Sequence, residues 1–99
     1  MYLIDITIKA DQVPAEQADE LLAGHRAWFG EQAKAGHFLV VGPYRDKKLA
    51  GVVMAQANSR AELDAIIAKD AYYPDLATYT VQEFQANIIA DNMTDYKGQ

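Results

Sequence analysis

At 99 residues, with no cysteine and a formal net charge of −5, the chain fits one domain and excludes disulfides and thiolate metal sites. Its Lys and Arg residues are scattered rather than gathered into a stripe, so nucleic acid is not an expected partner. No apolar run approaches the roughly 18 residues of a transmembrane helix, and Met1 to Ile6 has neither a basic region nor a small-residue cleavage site. Neither a membrane nor a secretory route is expected, and the lack of cysteine permits a reducing, cytoplasmic location.

Tyr2 to Lys9 alternates, with Ile4, Ile6 and Ile8 on one side and Leu3, Asp5, Thr7 and Lys9 on the other, the period of a half-buried strand. Pro14 suits the first turn of a helix, because its missing N–H would have no helical partner there, and Asp11 is a candidate cap. That helix is expected to run to about Ala35, with Glu16, Asp19 and Glu20 early in it, where they complement the dipole. Gly36 then supplies a left-handed stop. Within the helix, Leu21, Leu22, His25, Trp28 and Phe29 share one side, so an imidazole stands where a leucine would be expected. Gly24 and Gly30 each cost about 1 kcal/mol relative to alanine. Gly24 reads either as close backbone packing or as room for a ligand beside His25.

His37 to Tyr44 reads as a second strand, with Phe38 and Val40 on one face and His37, Leu39 and Val41 on the other. Gly42-Pro43 closes it, since proline cannot donate to a ladder. Arg45-Asp46-Lys47-Lys48 is a charged turn into a third strand, Leu49 to Ala57, in which Gly51 marks a bulge or a close approach. Ser59 and Glu62 form a capping box for a second helix, whose face carries Leu63, Ile66, Ile67 and then Asp70. A carboxylate at a helix C-terminus opposes the dipole by a few tenths to about 1 kcal/mol, so a protonatable or cationic neighbour is expected there. Tyr73-Pro74 breaks the helix, and Thr78 to about Ile89 forms a fourth strand with imperfect alternation. The domain is expected over residues 1–90, with a polar tail over 91–99.

The order βαββαβ is the split βαβ pattern: an α+β, ferredoxin-like domain with two helices on one face of a four-stranded antiparallel sheet. Its other face carries apolar side chains with no helix left to cover them. A homodimer through that open face is the expected solution.

The chain resembles the YciI-like family of small dimeric α+β barrel proteins. The residues that carry the resemblance are His25 with Trp28-Phe29, Gly36, Gly42-Pro43, Gly51, Ser59 with Glu62, and Asp70, spread over most of residues 1–90. The resemblance implies that His25 and Asp70 are a candidate active-site pair. Members commonly follow the aspartate with proline and an aromatic; here the run is Asp70-Ala71-Tyr72, without the proline. A related dehalogenase acting on a chlorinated lactone implies that the scaffold supports acid–base elimination.

A histidine oriented by a carboxylate can take or give a proton near neutral pH, which serves elimination, isomerisation or proton abstraction beside a carbonyl. Trp28, Pro43, Tyr44, Arg45 and Tyr72 are the candidate substrate contacts around it, for a small anionic or carbonyl-bearing molecule. The same tyrosines could instead pack in an interface, and the same histidine could be a polar lock in the core. Ser59 is spent on its cap, and no glycine-rich nucleotide loop occurs, so no cofactor is expected. His25, His37 and Asp70 match no metal-ligand spacing. The leading reading is a small acid–base enzyme; the alternative is a non-catalytic ligand-binding or interaction domain.

Overall fold

A computed structural model describes residues 1–99. Strand β1 (Tyr2–Ile8) is followed by helix α1 (Ala18–Lys34), the hairpin β2 (Phe38–Pro43) and β3 (Ala50–Ala55), helix α2 (Arg60–Ile67) and strand β4 (Ala77–Glu83). The strands form one antiparallel sheet in the order β2-β3-β1-β4, the ferredoxin-like arrangement. The alternation of β1 aims Tyr2, Ile4 and Ile6 into the core, where they meet Val53 and Ala55 of β3, Trp28 of α1, and Leu63, Ile66 and Ile67 of α2. Burying each of the large aliphatic side chains contributes about 1.5–3 kcal/mol, which makes this face the main source of stability.

Helix α1 starts later than Pro14. Pro14 has an extended ψ of 132° and leads a 3₁₀ turn over Ala15–Gln17, and Asp11 lies in a separate 3₁₀ turn whose end no side chain caps. The helix stops as its glycine requires. Gly36 takes φ +85°, its N–H donates to Ala33 at 3.1 Å, and the His37 N–H donates to Gln32 at 2.9 Å, which closes a Schellman motif. Gly24 is a site of close packing, since a Cβ there would stand 3.1 Å from Ala71 Cβ. At α2 the Ser59 hydroxyl accepts from the Glu62 N–H at 3.1 Å, while the Glu62 carboxylate accepts from the Asn58 N–H.

Two details of the hairpin correct the sequence expectation. The irregularity lies in β2 at Leu39, not in β3: Phe38 pairs with Ala55, but Val40 already pairs with Met54. The extra residue reverses the faces beyond it, so Val41 and Pro43, rather than Val40, share the helix-covered side with Phe38. Gly51 is instead a close approach, where a Cβ would stand 2.9 Å from the Gly42 carbonyl oxygen. Strand β4 is regular and ends at Glu83, opposite Tyr2; the Phe84 N–H donates to Met1 as the last link. Residues 84–99 leave the sheet, with Ile88 and Tyr96 exposed. On the open face, Leu3, Val52, Met54 and Val40 occupy adjoining register positions with no helix over them.

Candidate active site

The antiparallel register places Pro43, Gly51, Ile6 and Tyr79 in one row across the helix-covered face of the sheet. Pro43, Gly51 and Ile6 of that row line a hollow. Helix α1 roofs it with Leu22, His25, Arg26 and Phe29, and the hairpin closes its end with Tyr44, Lys47 and Leu49. The cavity measures about 400 Å³, room for a small metabolite.

His25 stands at its inner wall. Its Nδ1 lies 2.7 Å from Oδ1 of Asp70, whose side chain has no exposed surface. Asp70 follows α2 in a turn in which its N–H donates to Ile67 at 3.0 Å, so the apolar face of the helix carries it inward after Leu63, Ile66 and Ile67. Its second oxygen, Oδ2, accepts from the Tyr79 hydroxyl at 2.5 Å. These two side chains are the protonatable neighbours that a carboxylate in this place calls for. Facing the carboxylate, Nδ1 is assigned the ring proton, which leaves Nε2 as a lone pair. Nε2 has no hydrogen-bond partner in the protein and is not fully sealed, and it belongs to a residue that lines the cavity. Phe29, Tyr72 and Trp28 pack around the imidazole with centroid separations of 4.4, 4.9 and 5.8 Å.

The charged groups of the cavity wall, Arg26 and Lys47, are both cationic in a chain of net charge −5. The hydroxyl of Tyr44 donates to Asp5, and the Lys47 ammonium lies 5.3 Å from the Tyr44 ring centroid. An arrangement of this kind can hold an anion at the mouth and present a proton acceptor at the inner wall.

Residues 1–85 match the family described as the YCII-related domain. The chain belongs to that family. A search of curated proteins returned no match. Among solved structures, a crystal structure of an antibiotic biosynthesis monooxygenase is similar, with a TM-score of 0.51 and 16% identity over 86% of this chain and 99% of that one. At that identity the likeness carries the fold alone.

In this YCII-related domain burial and hydrogen bonding raise three tyrosines above the ordinary range. Tyr79 is pushed well above the usual tyrosine range, first by burial, then by its bond to Asp70 and the charge there. Tyr72 is raised by burial and by the Asp70 carboxylate, which the positive charge of Arg26 partly offsets. Tyr44 is raised chiefly by its bond to Asp5.

The candidate substrate contacts divide. Pro43 and Tyr44 line the cavity. Tyr72 is buried against the His25 ring, and Trp28 is a core residue whose Nε1 donates to the Ile66 carbonyl at 2.9 Å. Arg45 is exposed in the turn outside the cavity wall, where Arg26 and Lys47 stand instead. His37 lies apart, its Nδ1 3.4 Å from the Gln56 carbonyl and 3.9 Å from Glu62, and no three His, Asp or Glu side chains converge in a metal-binding group. Three residues at or beside the site went unread. The spacing of Arg26 next to His25 on α1 could have revealed it, whereas Lys47 and Tyr79 needed the hairpin and sheet register.

Proposed function

We propose that this YCII-related domain is a small acid–base enzyme in which His25 Nε2 takes or gives a proton and Asp70 fixes the ring. The observation that carries the reading is the 2.7 Å contact of Nδ1 with a fully buried carboxylate, at the wall of a cavity that His25 itself lines. A charge-assisted bond of this kind holds the imidazole in one tautomer and stabilises the imidazolium formed when Nε2 accepts a proton. The ligand is a small anionic, carbonyl- or lactone-bearing molecule. Its charge is met by Arg26 and Lys47 and its apolar body by Ile6, Ile8, Leu22 and Phe29. The chemistry is proton abstraction beside a carbonyl, with elimination or isomerisation as the outcome.

The working unit is a homodimer joined through the open sheet face, which would cover Leu3, Val40, Val52 and Met54 and leave the cavity, on the opposite face, accessible. Sedimentation should then give about twice the 11.0 kDa chain mass, and a monomer would overturn that part.

The test of the chemistry is deuterium incorporation. Small keto acids and lactones are incubated in D₂O with the wild-type chain and with His25→Ala. Exchange beside the carbonyl that requires His25 supports the reading. Binding without exchange for every compound would favour the ligand-binding alternative. A lowered melting temperature in His25→Ala with neither binding nor exchange would make the pair a polar lock.

A further inference from the structure

The carboxylate of Asp70 is held by few donors for a group so deeply buried. No backbone N–H reaches it, and its recorded partners are His25 on Oδ1 and Tyr79 on Oδ2. The terminal torsion of an aspartate is broad, so a single donor would leave the carboxylate plane free to turn and would let both oxygens compete for the imidazole. Tyr79 removes that freedom from the far side. Its own position is fixed by the ladder, where it pairs with Ile6, a residue of the cavity floor, and by packing against the Tyr73 ring at 5.9 Å. Tyr79 is not part of the cavity wall, so whatever it does for the site it does through Asp70.

We propose that Tyr79 is a positioning residue for the His25–Asp70 pair. Its hydroxyl pins Oδ2, so that Oδ1 keeps the Nδ1 proton and Nε2 stays an open lone pair aimed at the cavity. This rests on the acid–base reading of His25 and Asp70. A hydroxyl on a strand suits the task, because the strand is rigid and the functional ring sits on a different element. The hydroxyl also stays protonated throughout the working range, since burial and the adjacent carboxylate oppose its ionisation, so the donor is not lost as pH changes.

The experiment follows the His25 Nδ1 proton by NMR in the wild-type chain and in Tyr79→Phe, which keeps the ring and removes the donor. Solvent exchange of that proton should quicken by about tenfold, the factor that one ordinary hydrogen bond carries, while the amides of Ile4 and Val53 keep their protection. Acceleration of the ring proton and the core amides by one common factor would mean that Tyr79 only stabilises the fold, and no acceleration would mean that it does not hold the pair; either overturns the proposal. Should Tyr79→Phe fail to fold, 3-fluorotyrosine at position 79 retains the hydroxyl and makes it a stronger donor. It should then draw charge from Oδ1 and move the Nδ1 proton upfield, and an unmoved resonance overturns the proposal. These readouts need no turnover, so they can fail while the deuterium test succeeds, and the reverse.

Discussion

The two histidines of this chain stand in opposite circumstances. His25 is 6% exposed, bonded to a carboxylate with no exposed surface and ringed by Phe29, Tyr72 and Trp28. His37, just past the helix-stopping Gly36, has contacts of 3.4 and 3.9 Å with Gln56 and Glu62 and a side chain 29% exposed. The first is held by groups from α1 and from the turn after α2, with Tyr79 of β4 bonded to Asp70 behind it, so its environment exists only in the folded protein. The second meets only residues near the end of β3 and the start of α2, in contact with water. One ring therefore has a tautomer set by the fold, and the other stands at the surface with no comparably close partner. Burial together with a specific partner, rather than the residue type, marks a candidate site.

The largest test of that contrast removes the partner. Asp70→Ala leaves the His25 Nδ1 and the Tyr79 hydroxyl without a protein acceptor in the interior. At about 1–3 kcal/mol for each unpaired group, the loss should be about 3 kcal/mol, a fall in melting temperature of roughly 15 °C for a domain of this size. A smaller effect comes from alkaline titration. Tyr79 has its folded value raised above the usual 10.0. Its contribution is therefore complete below about pH 10 and is lost as pH rises toward the folded value, because the unfolded chain releases the proton first. Denaturant midpoints from about pH 9 to pH 11 should decline more steeply for the wild type than for Tyr79→Phe, and parallel curves would contradict the placement of that hydroxyl. The smallest effect belongs to His37→Ala, which should change stability by no more than about 0.5 kcal/mol in the same melts. A loss as large as that of Asp70→Ala would erase the contrast.

Much of this arrangement was legible in the residues. The apolar period of β1, the spacing on α1 and the capping box at Ser59 set the order of elements. The contact between His25 and Asp70 could be anticipated because each continues an apolar run, Leu21 and Leu22 to Trp28 and Phe29 in one case and Leu63, Ile66 and Ile67 in the other, with a polar group. Other features had no local signal. The bulge at Leu39 lies in Phe38-Leu39-Val40-Val41, where every residue is apolar, so a slip of one residue leaves no polar marker out of phase. The end of β4 at Glu83, opposite Tyr2, belongs to its pairing with β1 and is not marked by a glycine or proline in Phe84 to Ile89. Tyr79 and Lys47 reach the site through sheet pairing and hairpin geometry, and both are long-range facts. Arg45 and Lys47 occupy the same charged turn, and only the turn's path decides which of them meets the cavity.

The most direct measurement is a long-range ¹H–¹⁵N correlation spectrum of the two imidazoles at neutral pH, recorded alone and with added acetate or γ-butyrolactone. The account predicts that His25 is one tautomer, protonated on Nδ1, with an Nε2 resonance that moves when either probe is added, while His37 shows averaged nitrogens. A His25 ring protonated on Nε2, or one blind to both probes, would contradict it: the imidazole would then be a sealed core residue, and the acid–base reading would fall with it.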